Sequence, residues 1–356
     1  MSEKLNCFIT DRKILAKSTL YPLNTENTYI ISNPSSRKLL CEPEIIGYEI
    51  AQLLLHPISN AIEYLITHNI ITDISIVYIL RGGLNFSIED ACYQNNLEVK
   101  GVSFLTSERV FLENKVSRIE CKYRKINSIN NATIIIGDII ASGQTLKNAV
   151  EYIVEQYILT GKTLKNIIVF TIGTSSTLEV ISQLNYKLKQ RWDQFEGIWT
   201  IFIEGIFTTY PDVGITRLNL PDVDFSVNGG LLAPEYRLSI MEKPHIIFEK
   251  CCIYDGGARR FEPKDHISCI LKYWSNLISK ANEIKIADFL LEKYGYGDII
   301  SFEEWKGINC YKSLNIKTLK DLYQSEISFF QKTIQLSLSQ IAESRFNDLN
   351  NLYLNF

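Results

Sequence analysis

The sequence has no Cys-x-x-Cys spacing among its eight cysteines, at positions 7, 41, 92, 121, 251, 252, 269 and 310. Its four histidines, 56, 68, 245 and 266, are scattered without the spacing of a ligand set, so no protein-only metal site is expected. No secretory apolar core follows the first Lys/Arg residues, and the thiols are expected to be reduced in a cytoplasm, with Cys251-Cys252 as buried filler. No apolar run approaches the length that spans a bilayer. A formal net charge of −3 advertises no nucleic-acid surface. Internal repeats and low-complexity linkers are absent as well. What remains is 356 residues at an ordinary 46% hydrophobic, enough for one large α/β domain with an addition, or for two domains.

One stretch organises the chain: Thr133 to Leu146, Thr-Ile-Ile-Ile-Gly-Asp-Ile-Ile-Ala-Ser-Gly-Gln-Thr-Leu. Ile134 to Ile136 are β-branched and apolar on both faces, as a buried parallel strand requires. From Thr145 the period becomes helical, with Leu146, Ala149, Val150 and Ile153 on one face. Ala141 to Thr145 is therefore a strand-to-helix turn at the carboxyl end of a central strand, where open α/β sheets place ligands. Unpaired N–H groups at the helix start suit a phosphate, and the Ser142 and Thr145 hydroxyls add donors. Asp138 can accept from the vicinal hydroxyls of a sugar. The alternative reading is an ordinary buried strand followed by a Ser/Thr-capped helix.

A second buried strand, Ile74 to Leu80, ends in Arg81-Gly82-Gly83-Leu84-Asn85-Phe86. A cation followed by two glycines lets the backbone approach an anion closely, although by itself it reads better as a simple tight turn.

The two motifs, in this order, resemble the type I phosphoribosyltransferases, closest in style to the purine-salvage members. The family signature is a hydrophobic strand, two acids, two apolar residues and a small-residue loop ending in Gly-x-Thr or Gly-x-Ser. Here Asp138 matches the second acid, Ile139-Ile140 the apolar pair and Ala141-Ser142-Gly143-Gln144-Thr145 the 5′-phosphate loop, whereas Gly137 stands where the first acid belongs. The resemblance implies an α/β fold, a parallel sheet flanked by helices, to which the chain's own helical periodicity adds a mainly helical C-terminal region that the family does not require. It implies a glycosyltransferase that binds phosphoribosyl pyrophosphate and passes phosphoribosyl to a nitrogenous base or related acceptor. Asp138 would hold the ribose diol, residues 141 to 145 the phosphate, and Arg81, Gly82 and Gly83 the pyrophosphate, with Asp138 and Arg81 the catalytic pair. Mg²⁺ would arrive with the substrate, held mainly by the substrate's own oxygens. Where purine-salvage members carry an acid within the loop, this chain has Ala141.

Further expectations follow from the resemblance. The Arg81-Gly82 peptide is expected to be cis. Ser107, Glu108 and Arg109 match the start of a mobile loop that closes over the sugar, with a plain exposed hairpin as the alternative. Residues 220–237 are loosely similar to a base-covering hood in which Phe225 or Tyr236 stacks on the base, against the reading that both are core aromatics. Arg259 and Arg260 lie in a turn that could meet a phosphate but reads better as solvated.

The rest of the chain sorts by periodicity. Residues 1–40 read as edge strands and loops, 40–210 as the core, 211–262 as a hood-like irregular region, and 263–356 as helical. Residues 44–54 and 58–68 read as two helices broken by His56-Pro57. The core is expected to hold about five parallel strands. Residues 316–352 form an amphipathic helix or helix pair whose functional role would be homodimerisation or a protein partner. Two other functions stay open: a regulator that binds nucleotides without turnover, which Gly137 and Ala141 favour, and a nucleotide-directed effector of a bacterial defence module whose C-terminal helices meet a partner.

Overall fold

The computed structural model describes residues 7–106, 108–112, 115–120, 122–209, 214–218, 225–249, 256–309, 311 and 314–356. Three short strands, β1 (Lys13–Ile14), β2 (Thr19–Pro22) and β3 (Thr28–Ser32), lead into helix α1 (Pro34–Cys41), capped by the Asn33 side chain on Ser35 N. Helix α2 (Glu49–Thr67) follows as one helix with Pro57 inside it, not the expected pair broken at that residue. An internal proline costs about 3 kcal/mol. Burial of Leu54, Ile58, Ile62 and Leu65 along one face offsets that cost at about 1.5–3 kcal/mol each.

Strand β4 (Ile74–Leu80) ends in a 3₁₀ turn, Gly82–Phe86, and α3 (Ile88–Gln94) leads to β5 (Val99–Thr106). A hairpin of β6 (Glu108–Leu112) and β7 (Lys115–Glu120) precedes the short β8 (Arg124–Lys125). Then come β9 (Ala132–Ile140), α4 (Gln144–Leu159), β10 (Leu164–Thr174), α5 (Ser175–Arg191) and β11 (Gly197–Thr209). Strand β12 (Phe225–Leu232) and α6 (Pro234–Ser239) make regular what the sequence reads as irregular.

The main sheet has ten strands in the order β1-β2-β3-β11-β10-β9-β4-β5-β8, with β12 paired to β11. Every neighbouring pair from β3 to β5 is parallel. The five expected strands are thus joined by Thr28–Ser32, which sequence reading left at an edge because Asn33-Pro34 cuts its apolar run short. Alternation along β9 feeds two cores. Ile134, Ile136 and Ile140 pack under α4 and α5, while Ile135 faces α2 and α3.

The C-terminal region is helical: α7 (Pro244–Phe248), α8 (Gly256–Phe261), α9 (Pro263–Lys280), α10 (Ile286–Tyr294), α11 (Phe302–Asn309), α12 (Ile316–Thr333) and α13 (Leu338–Tyr353). The long last segment is a helix pair. These helices share the α2-side core, and buried charge fastens them. Arg237 on α6 donates to Glu326 on α12 at 2.5 and 2.8 Å, with Trp305 Nε1 on the same carboxylate at 3.0 Å. Arg345 on α13 donates to Glu44 at 2.6 and 3.0 Å. The sheet with flanking helices and a helical C-terminal region agrees with the expected fold class. Among the described residues no helix is long and apolar enough to cross a membrane.

Candidate functional site

Because β4 and β9 are parallel neighbours, the chain leaves both at the same edge and the two motifs lie side by side. The last register pair is Tyr78 with Gly137. Asp138 on β9 and Arg81, in the loop that follows β4, therefore stand just beyond it.

Asp138 is almost wholly buried, its Oδ1 accepting from Ile139 N at 2.9 Å. Burial pushes its pKa up to about 7 against that single stabilising hydrogen bond. Gly82 approaches from β4: a Cβ there would stand 2.9 Å from Asp138 Oδ1, and one on Gly83 would stand 3.0 Å from Gly137 O. Only glycine allows the two loops to close on one another this tightly. Beyond Ile140 the chain bends through Ala141 and Ser142 to Gly143, which enters α4 with φ +75°. A Cβ at Gly143 would also stand 2.7 Å from Val180 Cγ2. Helix α4 has no side-chain cap, so its first N–H groups have no partner inside the helix. Ser142 and Gln144 are exposed and Thr145 is half-buried beside them. The Ala141 carbonyl is held from behind by the Thr174 hydroxyl. The turn has an exposed Ser142 and uncapped helix N–H groups, with a buried carboxyl whose pKa is raised to about 7 beside them, an arrangement suited to an anion with attached hydroxyls.

The Arg81 loop is cis at Leu80-Arg81, one bond before the expected Arg81-Gly82. The half-exposed Arg81 pairs with Glu262 Oε1 at 2.9 Å. Its guanidinium lies 5.9 Å from the Phe261 ring centre, and that of Arg260 lies 5.1 Å from the same ring. Arg260 also donates to the Leu84 carbonyl, inside the loop. Arg259 is buried, donating to the carbonyls of Ile45, Leu39 and Glu42 at 2.6, 2.9 and 2.7 Å. Among its described residues the expected solvated turn is thus an anchor, with Arg259 buried and Arg260 partly so, and Glu262 carries no motif that would single it out.

The departure at Gly137 has a structural counterpart. A Cβ there would stand 2.5 Å from both Cβ and Cγ of Phe86. The fully buried Phe86 ring fills the space that an acid would need.

Other expected site residues lie elsewhere. Ser107 falls outside the described residues, as do Cys251 and Cys252. The Glu108 and Arg109 backbones pair with Glu120 and Ile119 in the β6–β7 hairpin. Phe225 and Tyr236 are wholly buried, each packed on Phe207 at ring-centre distances of 6.1 and 6.0 Å. The stacking role is corrected: both rings face the core and offer no surface to a base. Glu204, which sequence reading missed, is buried on β11 with φ +63°. It accepts from Ser32 Oγ, Ser36 Oγ and Asn33 N at 2.6, 2.6 and 2.7 Å and so holds the start of α1. Among the described residues no three His, Cys, Asp or Glu side chains cluster as a metal site.

No protein-family profile matches the sequence, and no curated protein sequence matches it. Solved structures do. The AQ2163 protein of Aquifex aeolicus aligns over 51% of this chain and 89% of its own, at 14% identity and a TM-score of 0.36. A hypoxanthine phosphoribosyltransferase from Staphylococcus aureus aligns over 54% and 91%, at 15% identity and a TM-score of 0.29. The hypoxanthine-guanine phosphoribosyl transferase of L. donovani aligns over 47% and 85%, at 12% identity and a TM-score of 0.28. At these scores a functional reading rests on the chain's own residues.

Proposed function

We propose that the chain binds phosphoribosyl pyrophosphate, with its Mg²⁺, across the carboxyl ends of β4 and β9, and transfers phosphoribosyl to a nitrogenous base or related acceptor. The observation that carries this reading is the interlocking of the two loops, with Gly82 against Asp138. It brings an anion-compatible turn and the loop that carries Arg81 to neighbouring strand ends. The α4 N–H groups, Ser142 and Thr145 take the 5′-phosphate, while Arg81 and the Gly82-Gly83 backbone take the pyrophosphate. As that group leaves, positive charge grows on the ribose ring. Asp138 then lies close enough to hold a hydroxyl and to stabilise the cation in its ionised form, a form that burial holds back until about neutral pH. Ala141 offers no proton acceptor, so a base that must lose a proton gives it to another group or to solvent.

A second reading is supported by Phe86 in the place of the first acid and by Glu262 on Arg81: a protein that holds the ligand without turning it over. Pyrophosphate release, screened across purine and pyrimidine bases in the presence of phosphoribosyl pyrophosphate and Mg²⁺, separates the two. Release with one base that is lost in Asp138→Asn supports transfer. Tight binding with no release from any base supports the second reading, and absence of binding overturns both.

A further inference from the structure

We infer that Glu262 is a built-in counter-anion of the leaving-group half of the site, which an incoming polyanion must displace from Arg81. The inference rests on the proposed phosphoribosyl pyrophosphate site. The Glu262 carboxylate stands 2.9 Å from the Arg81 guanidinium, on the far side of 181 residues of chain. Its position is fixed by its neighbours. Arg259 is buried among the carbonyls of Leu39, Glu42 and Ile45, and Arg260 reaches into the β4 loop at Leu84. The Glu262 backbone N–H closes on Ala258 O at 2.9 Å, and its carbonyl accepts from His266 N at 3.1 Å. The backbone that carries the carboxylate to Arg81 is thereby anchored, while the carboxylate itself remains about half exposed.

Both partners are about half exposed, so the pair is weak and open to exchange. Replacing one carboxylate with a singly charged anion gains almost nothing. A diphosphate brings more charge and several oxygens to a fork with five donors, and gains by the exchange. The neighbouring Arg260, over the same Phe261 ring, adds to that field. Glu262 therefore sets a threshold: the subsite ignores single charges and admits polyanions. The threshold belongs to this chain's C-terminal region, outside both sequence motifs.

The test is calorimetric titration of full-length wild type, Glu262→Gln and Arg81→Ala with two probes, inorganic pyrophosphate and ribose 5-phosphate. Glu262→Gln is expected to bind pyrophosphate about three- to tenfold more tightly, with a gain that shrinks as salt is raised, and ribose 5-phosphate as wild type does. Arg81→Ala is expected to lose pyrophosphate alone. Unchanged or weaker pyrophosphate binding by Glu262→Gln, with Arg81→Ala still defective, overturns the inference and leaves the site standing. Equal tightening for both probes also overturns it, because the effect would then be a general change of field. If wild type binds neither probe, the functional proposal itself fails. Glu262 is half exposed, and circular dichroism of the Gln variant checks that the fold is kept.

Discussion

The turn after β9 and the region formed by α6 with the C-terminal helices differ in where their polar groups find partners. At the turn, the first N–H groups of α4 have no cap, Ser142 is exposed, and the Asp138 carboxyl has one backbone hydrogen bond. In the other region the buried charges answer one another, although among the described residues His245 Nε2 and the Tyr294 and Tyr296 hydroxyls find no hydrogen-bond partner. Arg237 sits between the Tyr294 and Trp305 rings with both ends of its fork on Glu326, and Arg345 bridges Glu44 and Glu249. The difference separates binding from stability. Groups satisfied internally hold the fold, whereas groups left facing outward at a strand edge are available to a ligand. Arg81 stands between the two, a motif cation already partnered by the C-terminal side.

The comparison breaks most visibly at its stable end. Arg237→Met leaves Glu326 buried without its cation and is expected to cost about 3–5 kcal/mol, read as a lower urea midpoint. An unfolding free energy within about 0.5 kcal/mol of wild type, on the usual scale of surface changes, would mean that the pair does not hold the two parts together. Next in size is Gly137→Glu, which restores the acid of the family signature. With Phe86 2.5 Å from the new Cβ, overpacking is expected to cost about 3 kcal/mol, and the double variant with Phe86→Ala should lose less than the sum of the two single changes. Independent, additive losses in the double variant would count against direct contact.

The pH dependence sharpens the same contrast. Asp138 has a folded pKa near 7 against an ordinary aspartate value of 3.8, so the folded state holds its proton more tightly than the unfolded chain does. The resulting stability is fully present below about pH 4 and is lost as pH rises through about 7. Glu204, also raised to about 7, contributes in the same window, so the informative quantity is the difference between wild type and Asp138→Asn. That difference is expected to fall steadily between about pH 4 and pH 7 in urea denaturation series. A flat difference would mean that Asp138 is not desolvated. Smallest of all, Ser142→Ala at the exposed turn should change stability by less than about 0.5 kcal/mol while weakening ribose 5-phosphate a few-fold.

The legible part of the molecule was the part written in short range. Buried strands such as Ile134 to Ile136 and the change of period at Thr145 specify their own conformation, and they fixed the sheet and the turn. Pro57 was misread because a local cost was weighed without the long buried face that outweighs it. Phe225 and Tyr236 were ambiguous because an aromatic in a loosely patterned stretch looks the same whether it faces a ligand or a core. Phe86 against Gly137, and Glu262 on Arg81, join residues far apart in sequence with no periodic signal. Such pairings exist only once the strand order has brought them together.

The most direct test of the account is calorimetric titration of phosphoribosyl pyrophosphate with Mg²⁺ into wild type, Asp138→Asn and Thr145→Ala. Micromolar binding by wild type, weakened at least tenfold in both variants by loss of charge-assisted hydrogen bonds, is the predicted result. No binding by wild type, or equal binding by all three proteins, would contradict the placement of the ligand at the ends of β4 and β9.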